Sequence, residues 1–143
     1  RRKLGQLKEA LEDYDAVLHL DPDNAVTHQN RANVLDDLGD LEGALAALSE
    51  AIRLQPGREE RYLQRGGLHF NLGRFQEALD DFSQVLLLKP DHEEALYNRG
   101  IAWLKFGEKG KALQDFRAVL EKTSEHSSIR AMAKDRLAEL SEN

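Results

Sequence analysis

The chain has 143 residues, of which 41% are apolar and 32% are charged, a composition typical of a folded protein. Its net charge of −6 argues against a general surface for nucleic acid or for an anionic membrane. It has no cysteine, which excludes disulfides and thiolate sites, and no apolar run approaches the ~18 residues of a membrane-spanning helix.

The first predicted element is an amphipathic helix over residues 6–20. Apolar side chains recur there at the spacing of one helix face; they are Leu7, Leu11, Tyr14, Val17 and Leu18. Pro22 follows, and proline cannot continue a helix because it lacks an N–H. A second helix is predicted over residues 25–38, since Gly39 comes directly after it and glycine suits the left-handed turn that closes a helix.

The following segments repeat this arrangement with a period of 34 residues. The unit is a helix, a tight turn, a helix and a proline-containing turn, and it continues through segments 39–58, 59–72, 73–92, 93–106 and 107–126. Three sets of residues mark the period: the turn glycines Gly5, Gly39, Gly73 and Gly107; the alanines Ala10, Ala44, Ala78 and Ala112, each followed by leucine; and the prolines Pro22, Pro56 and Pro90. Ser124 takes the place of the fourth proline. A fixed period held by several residue types indicates a repeat architecture.

The last predicted element is a helix within residues 127–143. Its apolar stripe consists of Ile129, Met132, Ala133, Leu137 and Leu140. Charged residues surround this stripe. The pattern predicts a capping helix that covers the last repeat and turns a polar surface to solvent.

Three arginines also recur at the repeat period, namely Arg31, Arg65 and Arg99. Aspartates accompany them in register, at Asp13, Asp81 and Asp115, with Ala47 as the exception. Arginine suits a partly buried pair with a carboxylate, so we expect Arg99 to bond Asp81 or Asp115 and Arg31 to reach Asp13. The alternative is a row of cations that binds an acidic ligand.

Together these positions resemble the tetratricopeptide repeat family. The resemblance is carried by the small mid-helix residues Ala32, Gly66 and Gly100, by the marker residues above, by Tyr14, Leu48, Phe82 and Phe116 in a large slot, and by Val17, Ala51, Val85 and Val119 in a smaller slot. It implies an all-α, right-handed α-solenoid of antiparallel helix pairs with a C-terminal capping helix. The implied segments are a partial repeat with only its second helix at 1–24, repeats at 25–58, 59–92 and 93–126, and the capping helix at 127–143.

The resemblance also implies a peptide-binding groove, because in this family the first helices of successive repeats line a concave surface that binds another protein. The implied groove residues are Val26, Gln29, Asn30, Asn33, Asp37, Glu60, Leu63, Gln64, Gly67, Asn71, Glu94, Tyr97, Asn98, Ile101 and Lys105. Side-chain amides can hold a peptide backbone because each one both donates and accepts. We expect Tyr97 to offer an open aromatic contact in this groove. The acids along the groove favour a neutral or basic partner segment.

One subfamily grips the C-terminal carboxylates of heat-shock chaperones with lysines and asparagines. Asn33 and Asn98 match that pattern, but Gln29, Glu60 and Glu94 stand where it requires cations. We therefore do not expect a chaperone-tail clamp. The function implied is a protein-interaction module that acts as a scaffold or adaptor. The alternative is a structural spacer or oligomerising segment of a longer tetratricopeptide array, with no ligand of its own, which the partial first repeat supports. Part of the apolar surface of helix 6–20 also lacks a predicted cover, so we expect self-association through it.

No enzymatic chemistry is expected. The five histidines, His19, His28, His69, His92 and His126, do not have the spacing of metal ligands. The sequence also lacks a GxSxG motif, a phosphate-binding glycine loop and an HExxH motif. The acids Asp36, Asp37 and Asp40 are expected to form a solvated helix end, with Asp40 favouring the start of the next helix. We therefore expect no catalytic residue, no metal and no cofactor.

Overall fold

The computed structural model describes residues 3–141, which form eight α-helices and no strand. The helices are α1 (Leu4–Leu20), α2 (Ala25–Asp37), α3 (Leu41–Leu54), α4 (Glu59–Asn71), α5 (Phe75–Leu88), α6 (Glu93–Lys105), α7 (Lys109–Lys122) and α8 (Ser128–Ser141). The prediction of an all-α fold is confirmed. The ends of the first and last predicted segments, residues 1–2 and 142–143, lie outside the described range, and the repeat boundaries stay a prediction.

Three of the four marker glycines form the left-handed turns predicted for them. Gly39, Gly73 and Gly107 have φ angles of 83°, 77° and 72°, a region that side chains rarely adopt. Gly5 was expected to do the same, and that expectation was wrong. It lies in the first turn of α1, where the backbone is already helical and a closing turn is not needed.

Polar side chains cap the start of several helices by accepting hydrogen bonds from backbone N–H groups of the first turn. Asn24 accepts a hydrogen bond from Thr27 N at 3.0 Å before α2, and the Asp40 carboxylate accepts one from Gly43 N at 2.9 Å before α3. The expected role of Asp40 is therefore confirmed. Before α6, the cap is an imidazole, since His92 Nδ1 accepts from Ala95 N at 3.2 Å.

Contacts divide the chain into two compact units. The first ends at Leu68 and holds α1, α2, α3 and most of α4, while the second begins at His69 and holds α5 to α8. In the first unit α1 packs on α2 and α2 packs on α3. Small and large side chains interlock in its core, where five are fully buried: Ala32, Val34, Ala44, Leu48 and Ala51.

In the second unit, α6 packs between α5 and α7, and α7 also packs on α8. One cluster of buried residues joins the last three helices, consisting of Leu96, Tyr97, Ala112, Phe116, Val119 and Ala133. Gly100 allows α6 and α7 to come close together. A Cβ atom at this position would lie only 2.6 Å from Cε1 of Phe116, so the glycine has a packing role.

Helix α8 covers the second unit, as the predicted capping helix should, but one residue of its predicted stripe lies elsewhere. Ala133 is fully buried, and Ile129, Leu137 and Leu140 pack against the same cluster. Met132 was expected to join them, and this was wrong because it is 44% exposed. Successive helical residues are rotated by about 100°, which carries Met132 away from the stripe centred on Ala133.

The apolar side chains of helix α1 are less buried than those at the corresponding positions of α7. Its Tyr14 is half-buried and its Val17 is 40% exposed, whereas Phe116 and Val119 at the corresponding positions of α7 are fully buried. Leu20 is 86% exposed at the end of the same helix. Part of the α1 apolar surface is thus open to solvent, and self-association through it stays a prediction.

Candidate functional site

The predicted groove residues of the first unit lie on α2 and α4. Those on α2 are Val26, Gln29, Asn30, Asn33 and Asp37, and those on α4 are Glu60, Leu63, Gln64 and Gly67. Val26, Asn33, Asp37 and Glu60 are exposed, while the other five are half-buried. Steps of three and four residues place each set along one side of its helix, so these side chains are directed by the two helices and not by a loop.

Three of these side chains form a closed cluster of amides that joins α2 to α4. Gln29 Nε2 donates to Asn33 Oδ1 at 3.0 Å and to Gln64 Oε1 at 2.7 Å. Gln64 Nε2 donates to Asn33 Oδ1 at 2.8 Å. Each amide is thereby held by the other two. We call Gln29, Asn33 and Gln64 the amide cluster.

The amide cluster keeps part of its hydrogen-bonding capacity for another molecule. A side-chain amide has two N–H donors and an oxygen with two lone pairs. Within the described residues, the Gln29 oxygen receives no hydrogen bond, the Asn33 NH₂ donates none, and Gln64 Nε2 donates only one. The cluster therefore presents both a free acceptor and free donors, which is the combination that a peptide backbone can satisfy.

The charges around the amide cluster are acidic. Asp37 follows Asn33 by one helical turn and Glu60 precedes Gln64 by one, and both side chains are exposed. Arg58 lies 3.8 Å from Glu60, but both side chains are more than half exposed, so it offsets that charge only weakly. An acidic ligand would therefore meet like charges here.

Arg61 fixes the start of α4 and so helps to position Leu63 and Gln64. It is only 5% exposed and donates from Nη1 to Gln55 Oε1 at 3.1 Å and to the Ala51 carbonyl oxygen at 3.4 Å. Burial lowers the pKa of the Arg61 guanidinium, which has no carboxylate hydrogen-bonded to it among the described residues. The Ala51 oxygen lies in the last turn of α3, where a cation is favourable, and Gln55 directly follows that helix.

The second unit holds the remaining predicted groove residues. Asn71, Glu94 and Lys105 are exposed, and Asn98 and Ile101 are half-buried. Lys105 lies over two aromatic rings, with Nζ 5.8 Å from the centroids of both Phe70 and Phe75. Its ammonium group therefore makes cation–π contacts with both rings and is still open to solvent.

Tyr97 does not form the open aromatic contact that was expected. It is only 8% exposed, it packs against Phe116 with ring centroids 5.5 Å apart, and its hydroxyl oxygen accepts from Arg136 Nε at 3.1 Å. This hydrogen bond raises the pKa of Arg136 above its ordinary value. The expectation was wrong because α8 supplies a partner for the hydroxyl and covers the ring, which the spacing of α6 alone does not reveal.

Each arginine of the row bonds a side chain of the same chain, and one predicted partner was wrong. Arg99 forms a two-pronged pair with Asp115, at 2.8 Å and 2.7 Å, as predicted. Arg31 bonds Asp15 at 2.7 Å and not Asp13. Ala47 occupies the position that corresponds to Asp115, so Arg31 turns to the preceding helix α1 instead. At the middle position, Arg65 Nη1 donates to Ser49 Oγ at 3.2 Å.

Two contacts that matter here were not predicted from the sequence. The bond from Gln29 to Gln64 crosses between repeats with a separation of 35 residues, one more than the repeat period. The sequence did offer a signal for this bond, namely amide side chains at neighbouring positions of successive repeats. The bond from Arg136 to Tyr97 had no comparable signal, because it depends on how α8 docks.

The described residues show neither a metal site nor a membrane span. In residues 3–141, no three or more histidine, aspartate or glutamate side chains gather closely enough to hold a metal ion. None of the helices in that range combines the length and apolar character needed to cross a membrane.

Several solved structures share this fold. A tetratricopeptide repeat protein from Parabacteroides merdae ATCC 43184 aligns with a TM-score of 0.87 at 27% identity, over 97% of this chain and 55% of that one. A MamA structure aligns at 0.77 and 24% identity, over 83% and 70%. The first tetratricopeptide domain of Spaghetti (RPAP3), solved with the HSP90 peptide SRMEEVD, aligns at 0.73 and 20% identity, over 82% and 90%. The chain thus spans about half of the Parabacteroides protein.

Family models give the same result from the sequence, although no curated protein matches the chain significantly. Two models described as tetratricopeptide repeat match residues 2–64 and 63–127, so their combined match runs from residue 2 to residue 127. The glycine turns and the buried positions of the helices agree with these matches. The chain belongs to the tetratricopeptide repeat family.

Proposed function

We propose that this chain is a protein-interaction module whose first unit holds an extended segment of a partner protein against α2 and α4. The observation that carries the proposal is the amide cluster. Its three side chains are oriented by mutual hydrogen bonds of 2.7 to 3.0 Å, and it retains free donors and an acceptor. Because the cluster is already ordered, a ligand would lose less free energy to side-chain ordering than on a mobile surface.

Leu63 adds an apolar contact next to the amides. It is half-buried beside Gln64, so a side chain of the bound segment can cover it while the backbone meets the amides. In an extended segment successive side chains point to opposite sides, and one of them would face α4. The ligand we propose is therefore an extended peptide with an apolar side chain next to a backbone group bound by the amides.

The partner segment we propose is neutral or basic. Asp37 and Glu60 flank the amide cluster and are exposed, and they favour a cation or a neutral group over an acid. The HSP90 peptide bound by the RPAP3 domain, SRMEEVD, ends in acidic residues. This chain has Gln29 and Glu60 where the tail-binding subfamily has cations, so we do not extend that ligand to it.

The second unit contributes its own contacts in this proposal. Asn71, Asn98, Ile101 and Lys105 are accessible in whole or in part and stay candidates for a partner surface. Tyr97 is not among them, since its ring and hydroxyl are both engaged within the unit.

The proposal is tested by selecting binders from a displayed library of random linear peptides and titrating the recovered peptides by calorimetry. Gln64→Ala removes two of the three bonds of the amide cluster and should raise Kd at least about fivefold, equivalent to ~1 kcal/mol. Asn33→Ala should act in the same direction. Both variants should keep wild-type helicity, because these side chains are exposed or half-buried and not part of the core.

Gln76→Ala is the matched control. Gln76 is also a helical glutamine with an amide bonded to a neighbour, Asp80, at 3.0 Å, but it lies on α5 and is exposed. It should leave Kd unchanged. Recovered peptides that bind Gln64→Ala and Asn33→Ala as tightly as wild type would show that the amide cluster is not the binding site. Failure to recover any specific peptide would favour the spacer function.

A further inference from the structure

The turn between α6 and α7 is a basic surface on an acidic protein. Residues 103–111, which we call the lysine turn, contain the exposed residues Lys105, Lys109 and Lys111 and a single acid, Glu108. Three lysines and one glutamate give this segment a charge of +2, whereas the whole chain carries −6. Glu108 lies 3.6 Å from Lys111.

Aromatic rings hold two of these lysines in place. Lys111 Nζ lies 4.4 Å from the ring centroid of Trp103, and Lys105 Nζ lies 5.8 Å from the centroids of Phe70 and Phe75. A ring face orients an ammonium group without neutralising its charge. Phe106, between the two lysines in sequence, is 47% exposed. The lysine turn therefore combines oriented cations with an accessible apolar centre, which suits an acidic partner.

The same chain carries a surface of opposite charge on a turn of the same shape. Residues 36–42, which we call the acidic turn, contain Asp36, Asp37, Asp40 and Glu42, all exposed, and no lysine or arginine. Their charge is −4, counted from four acids and no bases. The two turns stand two repeat periods apart, and their glycines, Gly39 and Gly107, have φ angles of 83° and 72°.

We propose that the lysine turn of one molecule docks against the acidic turn of a second copy. Opposite charges on the two turns supply the attraction, and Phe106 can contact the half-buried Leu38 and Leu41 of the acidic turn. Each surface is a single turn with few residues, so the contact is smaller than a standard interface and its affinity is modest. Because its charges are exposed, the association weakens as salt rises.

Sedimentation equilibrium of the whole chain over a range of concentrations tests this. Wild type should associate at low ionic strength, with a Kd about tenfold weaker at high salt. The double substitution Lys105→Gln with Lys111→Gln should weaken association at least tenfold. The control Lys8→Gln with Lys134→Gln makes the same change in net charge at exposed lysines on α1 and α8 and should associate as wild type.

Mixing two variants tests the pairing itself. The double variant Asp36→Asn/Asp37→Asn should also lose self-association, because it removes two charges from the acidic turn. When this variant is mixed with Lys105→Gln/Lys111→Gln, the two should form a one-to-one pair. The first variant keeps the lysine turn, and the second keeps the acidic turn. Trp103, the only tryptophan in the chain, should change its fluorescence when the pair forms.

Three results would overturn the proposal. The first is a wild-type chain that stays monomeric at every concentration and salt. The second is self-association that both charge variants retain but Leu20→Ser removes, which would assign the contact to the open surface of α1. The third is a monomeric chain whose Trp103 fluorescence responds to polyglutamate, which would make the occupant an acidic segment of another protein.

Discussion

Replacing Arg99 with alanine should destabilise the second unit by ~3 kcal/mol. Asp115 is buried, with a side chain only 7% exposed, and its two carboxylate oxygens accept from Arg99 at 2.8 Å and 2.7 Å. Among the described residues it has no other hydrogen-bond or ion-pair partner. The substitution therefore leaves a buried carboxylate unpaired, which typically costs ~3–5 kcal/mol. We expect the lower end because the Arg99 side chain is itself 26% exposed.

Arg31→Ala is the matched control, because Arg31 holds the same position two repeats earlier. Its partner Asp15 is 57% exposed, so water can replace the lost bond and the cost should be below ~1 kcal/mol. Chemical denaturation followed by circular dichroism gives the free energy of unfolding of each variant. Equal losses of stability from the two substitutions would show that burial of the carboxylate does not set the cost.

A second comparison separates the unpaired charge from lost packing. The double substitution Arg99→Met with Asp115→Leu removes both charged groups and keeps apolar volume, so it should cost less than Arg99→Ala alone. A double variant that is less stable than Arg99→Ala would indicate that the pair contributes net stability and that the cost does not arise from the stranded carboxylate.

The remaining predictions concern a helix cap and a close helix contact. His92→Asn should raise the free energy of unfolding by about 0.5 kcal/mol, because asparagine is a better cap than the imidazole that now accepts from Ala95 N; a loss of stability in thermal denaturation would contradict this. Gly100→Ala should lower it by ~1–3 kcal/mol, since the new Cβ would lie 2.6 Å from Phe116. Gly67→Ala, where a Cβ would meet nothing within 4 Å, should raise it by up to ~1 kcal/mol, and equal effects of the two alanines would refute the packing role.

The helices and their turns could be predicted because the repeat fixes them locally. Helical spacing, a glycine that can adopt positive φ and a proline that cannot continue a helix each act within one or two turns of the chain. The glycine positions 39, 73 and 107 illustrate this, since all three adopt the expected φ. Gly5 shows that a glycine alone does not predict a left-handed turn, because Gly5 lies inside α1 and no helix ends there.

Side-chain contacts between helices were harder to predict, because they depend on which neighbour lies within reach. Arg99 found its expected partner because Asp115 is present in register, but Arg31 faces Ala47 there and turns to Asp15. Tyr97 was expected to be open from its position on α6. Its actual burial depends on the docking of α8, a helix outside the 34-residue pattern.

The most direct test of the proposed binding function is an NMR titration of the side-chain amide signals with a selected peptide. We predict that the NH₂ signals of Gln29, Asn33 and Gln64 shift on binding and saturate together, while that of Gln114, on α7, does not move. Peptide binding that leaves the signals of the amide cluster unchanged and shifts only resonances elsewhere would show that the peptide does not bind at the amide cluster.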